Sequence, residues 1–195
     1  MPKLRLAIPL MILLSIGSAR AIAGPVERFT AMAMSQYSPA ARPVAVNIEI
    51  VIDRWSTPAE RDRVIDTMKN KSPAALLDLL RAMPNIGSIS TATSPGTSLR
   101  FAESKPAADG GRKIIIATER PMSVADTGTR RGRRNADANY PFSVVEIELD
   151  KQGNGTGSVH YSSRLVHNAK TGAIEVESYS NEPVRLTSVR PAGSP

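Results

Sequence analysis

A chain of 195 residues with 25 lysines and arginines, 18 acidic side chains, a net charge of +7 and no cysteine excludes disulfide frameworks, zinc–thiolate centres, cysteine nucleophiles and a lipid anchor on an N-terminal cysteine. Aromatic residues make up 4% of the chain, too few to interleave basic side chains with stacking platforms, so the positive charge does not point to nucleic acid. The length suits one domain able to bury about 70% of its unfolded surface without cross-links.

Lys3 and Arg5 precede an apolar run over residues 6–16, Gly17 and Ser18 break it, and Ala21-Ile22-Ala23 places small residues at a cleavage position before Gly24. Residues 1–23 are therefore expected to be an export signal. Pro9 interrupts the run, which falls short of the about 20 apolar residues that span a bilayer. No transmembrane segment is expected after cleavage, and losing Lys3, Arg5 and Arg20 would leave 22 basic against 18 acidic side chains, a net charge of +4. With no disulfides to stabilise it, such a protein reads as bacterial and periplasmic or secreted.

Residues 24–43 carry Pro25, Pro39 and Pro43 among small side chains and are expected to form an extended arm ahead of a single domain over 44–190, with 191–195 as a flexible tail. In residues 44–55, Val44, Val46, Ile48, Ile50 and Ile52 alternate with Asn47, Glu49 and Asp53, the signature of an amphipathic strand. Thr57, Pro58 and Glu60 form a capping-box start for a helix over 58–70. Ser72-Pro73 repeats the device for a helix over 73–83, in which Leu76, Leu77, Leu79, Leu80 and Met83 make a wide apolar face.

Strand patterns follow over 86–93, 98–103, 112–120, 142–150, 157–166, 173–179 and 184–189. Asp109-Gly110-Gly111, Gly153-Asn154-Gly155 and Lys170-Thr171-Gly172 read as hairpin turns that tolerate positive φ. Turns this short join antiparallel neighbours. The expected fold is α+β: one antiparallel sheet of about seven or eight strands, curled into a barrel or folded as a sandwich, with a two-helix insertion after its first strand.

Between residues 124 and 139 the apolar periodicity stops, and Arg130, Arg131, Arg133 and Arg134 concentrate four guanidinium groups. These four arginines are the candidate binding residues for an anionic envelope component or protein, against the alternative of a solvated loop. Carboxylates recur at period 2 as Glu49 and Asp53, then Glu146, Glu148 and Asp150, then Glu175 and Glu177, which would place each set on one side of its strand. They offer either acid–base chemistry or a solvated face paired with Lys113, Arg164 and Arg185.

Asp150 to Thr156 begins like a calcium loop, but Tyr161 stands where a bidentate acid is required, so a glycine hairpin is expected. His160 and His167 are seven apart, an odd spacing that puts them on opposite faces of a regular strand and removes joint metal chelation. Ser158 and His160 lack a nucleophile elbow. Trp55, at the end of the first strand, reads as a packing anchor. No catalytic residue, metal ligand or cofactor is assigned.

Asp53-Arg54-Trp55-Ser56-Thr57, Leu99-Arg100-Phe101-Ala102, Asp109-Gly110-Gly111-Arg112, Thr118-Glu119-Arg120-Pro121 and Tyr140-Pro141-Phe142 together resemble a group of uncharacterised exported bacterial proteins. The resemblance implies the compartment and a single domain, and no activity. The expectation is an exported, soluble, non-catalytic binding or interaction protein. Its alternatives are a cofactor-independent hydrolase using the strand carboxylates, and a small-ligand carrier with a cavity lined by Val46, Ile48, Ile114, Ile116, Val145 and Ile147.

Overall fold

A computed structural model of the chain describes residues 26–35, 44–122, 142–161, 164–177 and 183–193. In chain order the elements are β1 (Glu27–Ser35), β2 (Val44–Ile52), α1 (Pro58–Asn70), α2 (Pro73–Ala82), β3 (Gly87–Thr91), β4 (Ser94–Pro106), β5 (Arg112–Thr118), β6 (Ser143–Leu149), β7 (Gly155–Tyr161), β8 (Arg164–Asn168), β9 (Ala173–Glu177) and β10 (Val184–Pro191). Eight strands close into an antiparallel barrel in the order β1-β10-β7-β6-β5-β4-β3-β2, while β8 and β9 pair apart from it. The α+β class and the antiparallel sheet follow the sequence reading, and the sheet is closed.

Two placements differ from expectation. Glu27–Ser35, assigned to the extended arm, is a barrel strand paired with β2 along its whole length and with β10. The helical hairpin therefore follows the second strand. The reason is the inverted pattern of β1: small Ala31 and Ala33 point inward with Phe29, whereas Met32 and Met34 point outward, so hydropathy does not mark the buried face. Further on, the single strand expected over 157–166 is divided between β7, which stays in the barrel, and β8, which leaves it.

Inward side chains of all eight strands pack into one apolar cluster. Phe29, Ile50, Ile52, Leu99, Ile114, Ile116, Ile147 and Leu186 are all at most 1% exposed there. On β7 the inward positions are Val159, which joins the cluster, and Gly155 and Gly157, opposite Leu149 and Ile147 on one side and Val189 and Leu186 on the other. A Cβ on Gly157 would lie 2.4 Å from the Glu146 carbonyl oxygen. Glycine is thus required where the strands approach closely and the sheet bends.

A second apolar cluster lies outside the barrel. Val64 and Ile65 of α1, Leu76, Leu77 and Leu80 of α2, and Leu165 and Ile174 of the β8–β9 hairpin pack with Phe101, Ile115, Ala117 and Val144 of β4, β5 and β6. A bulge between Leu99 and Phe101 makes this possible. It switches the facing of β4, so Leu99 and Ala102 belong to the interior while Phe101 serves the outer layer. No helix among the described residues is long and apolar enough to cross a membrane.

The junction from β2 to α1 holds the layers together. Thr57 caps α1 by accepting from the Glu60 amide, and the Glu60 carboxylate accepts from the Thr57 amide at 2.8 Å. That carboxylate also receives both ends of the Arg54 guanidinium at 2.8 and 2.9 Å. Trp55 packs on the barrel core, and Ser56 is tied to β4 through both its amide and its hydroxyl.

Candidate binding surface on the barrel wall

The outer layer covers β4, β5 and β6, and no helix among the described residues packs over the wall formed by β10, β1, β2 and β3. Cross-strand register builds two outward rows there. Arg190, Thr30, Glu49 and Ser90 stand side by side, and next to them Thr187, Met32 and Asn47. All of these except Thr187 line a groove of about 470 Å³, to which Ser188 and Ala92 also contribute. That volume falls in the range of small-molecule sites.

Three features separate this wall from an ordinary solvated sheet face. Met32 and Met34 are 40% and 38% exposed, next to one another on the outer side of β1. Ser188 has φ of 52°, a left-handed backbone that costs a non-glycine residue on the order of 1 kcal/mol and tends to occur where a site demands it. It sits where β10 shifts register against both neighbours, and bulges of this kind re-aim side chains. Finally, the charges are unbalanced. Arg28 is bonded to Glu49 at 2.6 Å, whereas Arg185 and Arg190 have no ion pair among the described residues.

The strand carboxylates do not converge as free acids. Glu49 is held by Arg28, Glu146 and Glu148 share Lys113, and Glu175 accepts from the Asn168 amide at 2.8 Å; Asp53 is exposed. Among the described residues no three histidines, aspartates or glutamates gather to hold a metal ion. The Asp150 carboxylate is occupied by the Gln152 and Asn154 amides, both at 2.9 Å, with Gly153 at φ of 83°. This is the hairpin turn expected from the glycines.

Ser158 and His160 do meet, with the hydroxyl 2.6 Å from Nε2. The other ring nitrogen, Nδ1, is buried without a partner in the described structure. Burial pushes the His160 pKa below its ordinary value, opposed by the nearby Glu146 charge. A Ser–His pair becomes a nucleophile when a third group orients the imidazole through Nδ1, and the nearest acid, Glu146, is engaged with Lys113. The arrangement is a hydrogen-bonded neutral pair on a strand.

Arg130, Arg131, Arg133 and Arg134 lie outside the described residues. The groove was missed in the sequence because its strand β1 was missed; the available signal was Met32 and Met34 alternating with alanines, large apolar side chains on the face opposite the small ones. Comparison of the chain with protein-family models, with curated proteins and with solved structures gives no match.

Proposed function

We propose that this is an exported, non-catalytic binding protein of the bacterial envelope or exterior, in which the filled barrel is a scaffold and the β10–β1–β2–β3 wall is the recognition surface. The observation that carries the reading is the groove: a concavity lined by exposed Met32, by Arg190 with no ion pair among the described residues, and by strained Ser188, on a wall over which no helix among the described residues packs. The interior side chains named for a carrier, Ile48, Ile114, Ile116, Val145 and Ile147, pack on one another, which favours the wall over the lumen. Paired carboxylates and an unoriented Ser–His pair favour binding over hydrolysis.

The residues 130–134 cluster extends the proposal as a second anionic contact. Export rests on the pattern of residues 1–23 and on the resemblance described above. The test is methyl NMR on the mature protein labelled with [13C-methyl]methionine and titrated with envelope extract. Met32 and Met34 signals should move while that of buried Met83 stays. Invariant wall signals in wild type and in a variant with Ala at residues 130, 131, 133 and 134 would overturn the assignment of the groove.

A further inference from the structure

We propose that the wall groove takes a single-chain anionic amphiphile, its acidic head against the Arg190 guanidinium and its apolar chain along Met32 and Met34. The proposal rests on the reading of this wall as the binding surface and adds the chemistry of what binds.

Charge is the first argument. Of the described arginines on barrel strands, Arg28, Arg100 and Arg112 are each bonded to a carboxylate, Glu49, Glu119 and Glu27 respectively. Arg190 and Arg185 have no ion pair among the described residues, and both are exposed. Both belong to β10, where Arg190 is the register partner of Thr30 and Arg185 that of Met34. The outward stripe of β1 thus has Arg190 beside Thr30 at one end, Arg185 beside Met34 at the other, and Met32 between. A guanidinium with no carboxylate is a ready donor pair for a carboxylate or phosphate head.

The second argument is the middle of the stripe. Thioethers are flexible and polarizable and adapt to an irregular apolar partner. Thr30 to Met34 spans four residues, about 13 Å of extended strand, which gives an apolar chain a track beginning at the cation. Around the head, Thr30, Ser90 and Ser188 supply hydroxyl groups that can complete its hydrogen bonds, and the Glu49 carboxylate that lines the groove between Thr30 and Ser90 is neutralised by Arg28. The lining contains no aromatic ring, so the groove lacks the stacking surface a sugar or base would use.

The third argument excludes the usual alternative for an exposed sheet. An extended peptide adds to a sheet through a free strand edge; β2 pairs with β1 along its whole length and with β3 over residues 48–52, so the edge without a β3 partner among the described residues is confined to residues 44–47. Around Thr30, Glu49 and Arg190, where both neighbours are paired, recognition goes through side chains.

The experiment uses dodecanoate below its micelle concentration, with dodecyl maltoside as the uncharged head on the same chain, acetate as the head without the chain, and anionic lipid vesicles as an extended surface. Dodecanoate should move the Met32 and Met34 methyl signals and leave Met83 in place. Acetate should produce no shift, and the maltoside should bind at least tenfold more weakly. Arg190→Gln should weaken dodecanoate about tenfold and leave maltoside affinity and the melting temperature unchanged. Equal binding of dodecanoate and maltoside, indifferent to Arg190→Gln, would overturn the anionic head while leaving the groove as a binding surface. A response to vesicles alone would overturn the single-chain ligand in favour of a membrane surface. Wall signals that stay fixed with all four probes and with envelope extract would overturn both the ligand and the surface.

Discussion

Glu60→Gln tests how the β2–α1 junction is held. The Glu60 side chain is 9% exposed and meets Arg54 with two hydrogen bonds while closing the capping box on Thr57. The Arg54 guanidinium, first among the causes, holds the carboxyl down from 4.5 to about 2. A displacement of that size corresponds to about 3 kcal/mol of preference for the ionised form in the folded state. Arg54 is 38% exposed, so solvent screening lowers the expected contribution to about 2 kcal/mol.

Gln retains an oxygen for the Thr57 amide and so preserves the capping box. The substitution removes the charge and one of the two hydrogen bonds from Arg54, because the Gln amide nitrogen takes the place of an accepting oxygen. Because the folded carboxyl titrates lower than the unfolded one, its contribution is present in full above about pH 4.5 and is lost as pH falls toward 2. Urea unfolding should show wild type about 2 kcal/mol more stable than Glu60→Gln at pH 7, and the gap should narrow by roughly 1 kcal/mol at pH 3.5. Equal stability at pH 7, or a gap that does not change with pH, would refute the assignment of the stabilisation to the ion pair.

Other perturbations test separate parts of the structure. Gly157→Ala places a methyl 2.4 Å from the Glu146 carbonyl and should cost at least about 2 kcal/mol, seen as a lowered melting temperature; an unchanged melt would contradict the close approach of β7 to β6. Ser188→Gly removes left-handed strain and should raise stability by about 0.5–1 kcal/mol while weakening binding at the groove; a gain without loss of binding would separate the strain from recognition. Burial lowers the His160 pKa, so the unfolded chain takes up a proton at a pH where the folded ring remains neutral. Stability should fall as pH drops below about 6.5, and His160→Gln should flatten that slope relative to wild type. An unchanged slope in His160→Gln would rule out His160 as a source.

The parts of the fold that could be read from the sequence are those where one local rule acts alone. Thr57, Pro58 and Glu60 announce α1 because a capping box is contained within four residues, and β2 announces itself by strict alternation with β-branched residues inward. The structure has both. β1 failed on the same criterion, since its buried face is Phe29, Ala31 and Ala33 and its exposed face includes methionines. Small inward residues make sense only when the large side chains of neighbouring strands are known to fill the barrel. The departure of β8 from the barrel likewise depends on Leu165 and Ile174 finding the outer apolar cluster, a tertiary preference with no local mark.

For the candidate site, the individual residues were visible and their assembly was not. Glu49 and Asn47 were read as an outward strand face, yet the neighbours that make the face a groove, Thr30, Met32, Ser90 and Arg190, come from three other strands. Ser158 and His160 were adjacent in the sequence reading and are hydrogen-bonded in the structure. What decides their chemistry is the engagement of Glu146 by Lys113 across two strands, which spacing alone does not reveal.

The central claim is that recognition occurs on the outer wall of a filled barrel. The most direct measurement labels methionine methyls and isoleucine δ1 methyls in one sample and adds dodecanoate. The account predicts shifts at Met32 and Met34 with Ile50, Ile114 and Ile147, all buried in the interior, unmoved. Shifts at those three isoleucines with the wall methionines unmoved would place the ligand inside the barrel and contradict it.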